Sequence, residues 1–346
     1  MNADSRYYAA WVRDRQVLAE STSGGAFSAL AGVVLSSGGL VVGASYDDSL
    51  NVRHEIVQNL DGLKRLRGVK YVHGTIGREV YGGMREALAS NRKVMFVGLP
   101  CQAAAVRQMF GRDKNLLICD LVCFGTPPHS FWRKYIDWME QKHGNRLVNI
   151  NPRDKIHGWG RRTYYSYEWA NGKIKRCLSL YDPYSQAFYS TLAFRSVCFA
   201  CKFRGVARNS DITLCDMWNF EALNLSPEVV RGGVSGVIVH SELGGRFLAE
   251  ANVAHVQVSE NVFVKNNPAI VRSPVMPEQW QDFARDSHDL NFCDLMVKYH
   301  LKITRFEYAR QCAVSFVKGM ILKMLPVGLQ DKIRHRHRNS DEVARK

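Results

Sequence analysis

Two short apolar runs, each followed at once by turn residues, constrain the fold of this 346-residue chain more than any other feature. Residues 93–98 (KVMFVG) and 116–122 (LLICDLV) have the length of strands and are almost entirely apolar, which is typical of strands buried on both faces. A helix is predicted at 102–110, directly after the first run, and a longer one at 128–143, after the second. This alternation predicts an α/β fold with a mostly parallel, covered sheet.

The rest of the chain extends this alternation. Helices are predicted at 21–35, 79–90 and 242–251, and strands at 40–47, 51–60 and 234–240. Residues 161–180 differ, because two alternating runs flank Asn171-Gly172, a strong signal for an antiparallel hairpin. From about Pro277 the chain is predicted to be helical. We therefore expect an α/β fold with an antiparallel hairpin insertion and a helical C-terminus, and the loop 151–161 is the best candidate for an internal seam.

The composition excludes several classes of protein. Apolar residues make up 46% and charged residues 23% of the chain, so enough apolar surface exists to offset the entropy of ordering, and a disordered chain is excluded. No apolar run reaches the roughly 18 residues that cross a bilayer. The N-terminus lacks the apolar region of a signal peptide, so we expect a cytoplasmic protein.

Basic residues are concentrated at the C-terminus. The net charge is +15, and residues 301–346 hold 11 Lys or Arg against 4 acids, a local charge of 11 − 4 = +7. Apolar residues recur there at helical spacing, at Val317, Met320, Ile321, Met324 and Leu325. Such a helix over 313–338 suits an anionic membrane surface, which would make the protein peripheral at the inner membrane face. It equally suits a helix packed on the body with a solvated basic tail. No nucleic-acid-binding motif is present, so no nucleic acid partner is expected.

Four of the nine cysteines occupy positions that suggest chemistry. Cys101 follows the first apolar strand where a helix begins, which favours its thiolate, and Cys123 follows the second. The carboxyl ends of neighbouring parallel strands share one edge of a sheet, where ligands bind. Cys198 and Cys201 form a CxxC pair, which gives four thiolates, the number that a 4Fe-4S cluster requires. A zinc site, a redox dithiol and plain structural thiols remain alternatives.

The other cysteines carry less information. Cys119 lies within an apolar run and is expected in the core, and Cys215 stands between two acids, where it could line a site. The remaining three are assigned no chemistry: Cys177, Cys293 and Cys312.

Three further segments could bind a ligand. Ser21–Gly25 (STSGG) opens a helix with hydroxyls and flexible backbone, which suits a phosphate as well as a plain N-cap. Lys70 and Tyr71 place a cation beside an aromatic ring, as a flavin site or an ordinary surface pair would. Asp211 and Asp216 could act in acid/base chemistry or stabilise a strand and turn.

The order of these motifs resembles one family over roughly residues 6–275. The motifs are STSGGAFSAL, RGVKYVHGTIG, GLPCQ, CFGTPP, PRDKIHGWG, CFACKF, SDITLCDMW and GGVSGVIVHS. The chain resembles the beta subunit of coenzyme F420 hydrogenases and dehydrogenases, including a bacterial branch found with cell-surface polysaccharide genes.

The resemblance implies an iron-sulfur flavoprotein oxidoreductase over residues 1–275, followed by a helical region with a basic amphipathic tail over 276–346. FAD would pass electrons between a 4Fe-4S cluster and a hydride carrier, such as coenzyme F420, or another reducible substrate. The matching cysteines become the predicted cluster ligands: Cys101, Cys123, Cys198 and Cys201. The matching segments place the following residues around the flavin: Ser23, Gly24, Gly25, Lys70, Asp211 and Asp216.

The sequence departs from the family in two features, one that bears on the expected partner and one on the flavin site. The family often carries an N-terminal ferredoxin domain with CxxCxxC runs, which this sequence lacks, so a separate ferredoxin-like donor or acceptor is expected. Cys215 stands where the family has a glycine, which would crowd the flavin or add a thiol. A role in cell-surface polysaccharide biosynthesis fits the bacterial branch. The rivals are a non-redox protein of glycan assembly at the membrane face and a zinc-bound structural module, and cofactor content distinguishes the three.

Overall fold

The computed structural model describes residues 5–160, 162–265 and 267–302. Within these residues, eight strands form a central sheet: β1 (Arg6–Trp11), β2 (Leu40–Tyr46), β3 (Val52–Val57), β4 (Val94–Gly98), β5 (Leu116–Leu121), β9 (Ile212–Asp216), β10 (Ser235–Val239) and β11 (Ala254–Val258). Three more form a small sheet: β6 (Leu147–Asp154), β7 (Tyr164–Trp169) and β8 (Ile174–Leu178).

Twelve α-helices are present in the same residues. They are α1 (Arg15–Glu20), α2 (Ala26–Ser36), α3 (Leu60–Leu66), α4 (Arg78–Ala89), α5 (Pro100–Phe110), α6 (His129–His143), α7 (Pro183–Tyr189), α8 (Pro227–Gly232), α9 (Glu242–Glu250), α10 (Glu260–Val264), α11 (Trp280–Asp289) and α12 (Phe292–Lys298). Short 3-10 helices lie at Ser179–Tyr181, Ser196–Cys198, Phe220–Leu223 and Pro268–Ile270.

The central sheet has a parallel middle and antiparallel flanks. Its strand order is β11-β1-β10-β9-β5-β4-β2-β3, and the four strands β9, β5, β4 and β2 are parallel neighbours. β10, β1, β11 and β3 are joined to this middle by antiparallel pairing. The predicted α/β class is confirmed, with the parallel strands where the two apolar runs placed them.

Helices cover both faces of the sheet. α2, α3 and α9 bury Leu30, Leu63 and Phe247 on one face. On the other face, α4 and α5 cover β2, β4 and β5, and Phe263 of α10 packs over β1 and β10. Burying the strands on both faces removes nearly all their apolar surface from water, which is the main stabilising contribution to such a fold.

The small sheet is the predicted hairpin with one additional strand. β7 and β8 turn at Asn171-Gly172, and β6 pairs with β7. An aromatic core joins this sheet to α6, α7, α11 and α12 through Tyr135, Tyr184 and Phe292. The described part of the C-terminal region therefore packs into this core, and the division at 275/276 stays a prediction.

The predicted seam at 151–161 differs from the structure in its first residues. Residues 151–154 continue β6 rather than forming a loop, because their backbone pairs with β7. Arg153 then contacts Asp216 of β9, and Lys155 contacts the Ser23 carbonyl before α2. The described part of this segment therefore joins the small sheet to the central sheet.

Several element boundaries also differ from the predictions. α2 begins at Ala26 rather than Ser21, because Gly25 has a left-handed φ of +84° and residues before it form a turn. The following elements are additional to the predicted ones: α1, α3, α7, α8, α10, β1, β6 and β11. No helix in the described ranges has the length and apolarity to cross a bilayer. The proposed amphipathic helix at 313–338 lies outside the described residues.

Candidate cofactor site

Cys101 and Cys123 lie at the carboxyl edge of the parallel strands, as predicted. Cys101 is the second residue of α5, which starts directly after β4. Pro100 fits the first helical position, and the side chain of Gln102 accepts the Leu99 backbone N–H at 2.9 Å. Cys123 follows β5, where the chain turns at Gly125 with a φ of +146°. The local sequence thus fixes both thiols at one edge of the sheet.

The CxxC segment is held against the turn that follows Cys123. The Arg195 backbone N–H donates to the Thr126 carbonyl at 3.1 Å. The Thr126 hydroxyl lies 3.9 Å from the Cys198 sulfur. A contact between turns about 70 residues apart in sequence therefore brings the CxxC pair to the edge that carries Cys101 and Cys123.

Two arginines fasten the chain that follows Cys201. Arg208 forms an ion pair of 3.5 Å with Asp120 of β5, and both side chains are almost completely buried, at 3% and 2% exposure. Arg204 donates to the Phe124 carbonyl at 2.9 Å and to the Ala269 carbonyl. These contacts hold the loop after the CxxC pair on the sheet.

The four predicted cysteines interact with one another. The Cys101 thiol interacts electrostatically with Cys201 and Cys198, and the Cys123 thiol interacts with Cys198 and Cys101. We name this group of Cys101, Cys123, Cys198 and Cys201 the cysteine pocket. Desolvation, reinforced by Cys198, raises the pKa of Cys123 to about 12. No compact group of three or more His, Cys, Asp or Glu suited to a metal ion occurs in the described ranges.

The expected thiolate at Cys101 is not what the surroundings favour. Desolvation and the neighbouring Cys201 thiol raise the pKa of Cys101. The backbone N–H groups of Cys101 and Gln102 act in the opposite direction but are outweighed. Desolvation of the sulfur thus opposes the effect expected of the helix start, although the Cys101 residue is exposed at the edge of the sheet.

Cys119 and Cys215 lie apart from the pocket. Cys119 is fully buried in the core between β5 and the helices of one face, as expected. Cys215 packs in the other core, where a Cβ at Gly236 would lie 2.6 Å from its sulfur. Its thiol is thus a core group in this structure.

The STSGG segment forms a tight turn at the start of α2. A Cβ on Gly24 would lie 2.3 Å from the Ala10 carbonyl oxygen and 2.5 Å from the Ser235 nitrogen, so only glycine fits. The Ser23 and Ser235 hydroxyls are 2.9 Å apart. The close backbone approach sets the position of the helix start, whose free N–H groups favour an anion.

Lys155 lies beside this turn. Its ammonium donates to the carbonyls of Ser23 at 2.6 Å, Gly232 at 2.7 Å and Leu18 at 2.8 Å. Burial lowers the pKa of Lys155 to about 7, against the opposing effect of Asp216. A cation is therefore fixed next to the helix start, with Asp216 close by.

Asp216 pairs with an arginine of the small sheet. The Arg153 guanidinium donates to its carboxylate at 2.8 Å and lies 5.1 Å from the centre of the Trp218 ring. Trp159 stacks on Trp218 at 5.0 Å with an interplanar angle of 6°. Arg153 also interacts with the Tyr71 hydroxyl. This arrangement brings the DITLCDMW, PRDKIHGWG and RGVKYVHG segments together.

Lys70 is engaged by the end of a helix. Its ammonium donates to the carbonyls of Arg67 at 2.8 Å and Arg65 at 3.1 Å, among others at the end of α3, and lies 5.8 Å from the Tyr46 ring centre. Burial lowers its pKa to about 7. In this structure Lys70 stabilises the carboxyl end of α3, where a cation suits the helix dipole.

Asp211 lies at the opposite edge of the sheet from Asp216. Asp211 immediately precedes β9 and Asp216 is its last residue, and five residues of extended chain span about 16 Å. The Asp211 carboxylate accepts from Arg107 at 2.8 Å, from the Ile118 backbone N–H at 2.9 Å and from Ser241 at 2.7 Å. These three bonds give Asp211 a structural role between β5, α5 and α9.

Ser23, Gly24, Gly25 and Asp216 thus lie in one region, which we name the α2 pocket, together with Lys155 and Arg153. Aromatic rings connect it to the cysteine pocket. Tyr71 lies 4.6 Å from Phe188, and Phe188 lies 6.1 Å from Phe124, the residue after Cys123.

The cations of both pockets are not among the residues predicted from the sequence. Arg153 and Lys155 belong to the PRDKIHGWG motif, whose order was recognised without assigning roles to its charges. Arg204 and Arg208 follow the CFACKF motif, and a run of four cations without an acid over 195–208 was the available signal.

Comparisons with known proteins agree with this geometry. The fold and pockets define a mixed α/β protein with cysteines at the carboxyl edge of its parallel strands. Residues 91–262, which include all four pocket cysteines, match the family described as the C terminus of the beta subunit of coenzyme F420 hydrogenase/dehydrogenase. Residues 91–262, just under half of the chain, therefore belong to this family of beta subunits.

Solved structures include a similar chain. It comes from the F420-reducing NiFe hydrogenase complex of Methanosarcina barkeri, with a TM-score of 0.49 and 16% sequence identity over 83% of this chain and 89% of that chain. No curated protein matches the sequence.

Proposed function

We propose that the protein is an oxidoreductase that binds a 4Fe-4S cluster and FAD and exchanges electrons between them and a hydride carrier or reducible substrate. The observation that carries the proposal is the cysteine pocket. Its thiols come from three separate segments and interact with one another across the carboxyl edge of the sheet. Four cysteine thiolates are the donor set of such a cluster.

The residues around the cysteine pocket fit an anionic group. A cluster with four thiolates carries net negative charge, and Arg204 interacts electrostatically with Cys123, Cys201 and Cys198. A cluster also spaces its ligands more widely than a single ion does, so the lack of a compact ligand group in the described residues concerns single ions. Binding would replace the thiol protons, and desolvation otherwise opposes their loss from Cys101 and Cys123.

The α2 pocket fits the FAD diphosphate. Its helix start offers backbone N–H groups, Gly24 permits a close backbone approach, and Lys155 adds positive charge when its amine, with a pKa of about 7, is protonated. Ser23, Gly24, Gly25 and Asp216 are the residues we assign to it. FAD supplies the exchange between a two-electron hydride and single electrons, and the protein orients it and sets its electrostatics.

The surface around the cysteine pocket supports a separate electron-transfer partner. Val197 is 61% exposed, and Val275 and Met276 lie on the neighbouring segment at 53% and 42%. The segments 195–208 and 267–276 contain basic residues and no acid. An apolar surface with a basic rim suits a small acidic protein, such as a ferredoxin, that docks weakly and briefly.

The identity of the hydride carrier and the pathway rest on the family. Coenzyme F420 is our candidate carrier, because the family is named for it. A role in cell-surface polysaccharide biosynthesis is proposed from the resemblance alone.

Cofactor content tests the proposal. The chain is purified anaerobically, and its absorption spectrum and its iron, sulfide and flavin contents are measured beside those of Cys198→Ser. Cys293→Ser removes an exposed cysteine of α12 outside the pocket and is the matched control. We expect flavin bands near ~450 nm and a shoulder near ~400 nm, with the shoulder and the iron lost only in Cys198→Ser.

A wild-type chain that stays colourless after anaerobic reconstitution with iron, sulfide and FAD would contradict the oxidoreductase proposal. Zinc in place of iron would favour a structural metal module. Equal iron in wild type and Cys198→Ser would show that the cysteine pocket does not hold the cluster.

A further inference from the structure

Arg204 brings a positive charge to the cysteine pocket. It follows Cys201 by three residues, and one end of its guanidinium donates to the Phe124 carbonyl at 2.9 Å, next to Cys123. A second contact to the Ala269 carbonyl fixes its orientation. The side chain is therefore held against the pocket from two sides rather than extended into solvent.

One donor of this guanidinium has no protein partner. The Arg204 Nε atom is buried and makes no hydrogen bond to any described residue. A buried, unsatisfied donor destabilises the folded protein, so an acceptor is expected when the pocket is filled. The guanidinium interacts electrostatically with Cys123, Cys201 and Cys198, so the acceptor that its surroundings offer is sulfur.

The two other cations that follow Cys201 closely, Lys202 and Arg208, are exposed or already paired. Arg208 pairs with Asp120 and donates to the carbonyls of Phe203 and Gly205. Lys202 is exposed to solvent, which screens its charge. Arg204 thus has both the buried position and the spare donor.

We propose that Arg204 donates its Nε–H to a sulfur atom of the cluster in the cysteine pocket and thereby raises the reduction potential of that cluster. The proposal rests on the cluster assigned under the proposed function. Reduction adds one electron from an external donor, with no bond broken and no proton transferred. A fixed positive charge and a hydrogen bond to sulfur stabilise the reduced cluster, which carries the extra negative charge, more than the oxidised one.

Redox titration of the reconstituted holoprotein under anaerobic conditions tests this. Arg204→Gln is expected to lower the equilibrium constant for one-electron reduction about tenfold, which is about 59 mV towards more negative potential. Arg204→Lys keeps the charge but loses the Nε–H, so its shift should be smaller and in the same direction. Lys202→Gln removes an exposed charge from the same loop and should leave the potential near that of the wild type.

Equal potentials for the wild type and Arg204→Gln would overturn the proposal. If Arg204→Gln fails to fold, Arg204→Lys takes its place, and a wild-type potential in that variant would overturn it as well. A shift of the same size in Lys202→Gln would show that any cation in this loop has the effect, and that outcome also overturns the assignment to Arg204.

A second measurement needs no cluster. In the reduced apoprotein, the rates at which iodoacetate and iodoacetamide alkylate Cys198 and Cys201 are measured by peptide mass mapping. The ratio of the two rates cancels the reactivity of each thiol and reports the local charge that attracts the anionic reagent. We expect Arg204→Gln to lower this ratio roughly fivefold and Lys202→Gln to leave it nearly unchanged.

The two measurements distinguish the possible failures. An unchanged ratio in Arg204→Gln overturns the role of Arg204, whether or not a cluster binds. A protein that binds no iron but shows the fall in the ratio contradicts the proposed function and leaves the charge of Arg204 in the pocket established.

Discussion

Arg153 and Asp216 form a buried ion pair of 2.8 Å that joins the small sheet to the central sheet. Arg153 lies on β6 and Asp216 at the end of β9, and their side chains are only 7% and 16% exposed. Burial alone would lower the pKa of Arg153, but the Asp216 carboxylate raises it above its ordinary value. The pair therefore fixes one wall of the α2 pocket by tying together segments 63 residues apart.

Breaking this pair should destabilise the protein. Asp216→Asn is expected to lower the free energy of unfolding by on the order of 3 kcal/mol, because it leaves a buried guanidinium without its counter-charge. Urea unfolding followed by fluorescence measures the change. Glu228→Gln is the control, because it breaks an exposed ion pair. The side chains of Glu228 and its partner Arg15 are 79% and 88% exposed. It should cost less than about 1 kcal/mol. Equal losses in the two variants would mean that the Arg153–Asp216 pair does not hold the sheets together.

Gly24 should tolerate no side chain. A Cβ there would lie 2.3 Å from the Ala10 carbonyl oxygen, a backbone atom of β1 that cannot move alone. We expect Gly24→Ala to lower the free energy of unfolding by about 1–3 kcal/mol and to reduce the flavin content after reconstitution with FAD. Chemical denaturation and absorbance at about 450 nm are the measurements.

Gly32→Ala is the matched control for Gly24→Ala. Gly32 lies within α2, the helix that Gly24 precedes, and a Cβ there would meet nothing within 4 Å. Alanine should stabilise the helix interior by roughly 0.5–1 kcal/mol without affecting flavin. If both variants bind FAD like the wild type, the turn before α2 is not part of the flavin site.

The sequence predicted best those elements whose signal is local. The strands at 94–98 and 116–121 were recognisable because both faces are buried, and the hairpin because Asn171-Gly172 fits its turn. β1 pairs with β10 and β11, more than 220 residues later, so its place at this side of the sheet is decided by tertiary contacts. α3 contains Gly62 and three charged residues in seven positions, which hides its helical period.

The site residues could likewise be predicted only where their signal is local in the sequence. The positions of Cys101 and Cys123 followed from the strands and the CxxC pair from its spacing, and the resemblance joined the four into one predicted ligand set. The contacts of Lys155 with carbonyls 132 and 137 residues away leave no periodic pattern in the sequence. Asp211 and Asp216 looked equivalent as a pair of acids, but β9 separates them to opposite edges of the sheet.

Lys155 should make stability depend on pH. Its pKa in the folded protein is about 7 because of burial, with Asp216 opposing and Arg153 reinforcing the shift, whereas in the unfolded chain it is near the ordinary 10.5. Between these values the unfolded chain binds more protons, so the free energy of unfolding rises with pH across the window. The contribution is at most about 1.4 kcal/mol per pH unit.

Urea unfolding of the wild type and Lys155→Met from pH 7 to 9.5 measures this contribution of Lys155. We expect the rise with pH to be smaller in Lys155→Met. Lys70 also has a pKa of about 7, so part of the rise should remain. Parallel curves for the two proteins would mean that Lys155 is not desolvated in the folded state.

The ion pair between Asp120 and Arg208 should control the loop that carries Cys201. Burial raises the pKa of Asp120 to about 6, against the lowering effect of Arg208, so the carboxylate is charged at pH 8. Asp120→Asn at that pH leaves Arg208 buried without its counter-charge, which should cost about 3–5 kcal/mol. Hydrogen exchange of the amides at 198–210 should accelerate more than that of β4, because the loop loses its anchor to β5.

Thr213→Val is the control for Asp120→Asn. It removes a different partner of Asp120, the Thr213 hydroxyl, while leaving Arg208 in place, and should accelerate exchange in the loop far less. If Asp120→Asn loosens β4 and the loop equally, the pair stabilises the sheet as a whole rather than the position of the cysteine pocket.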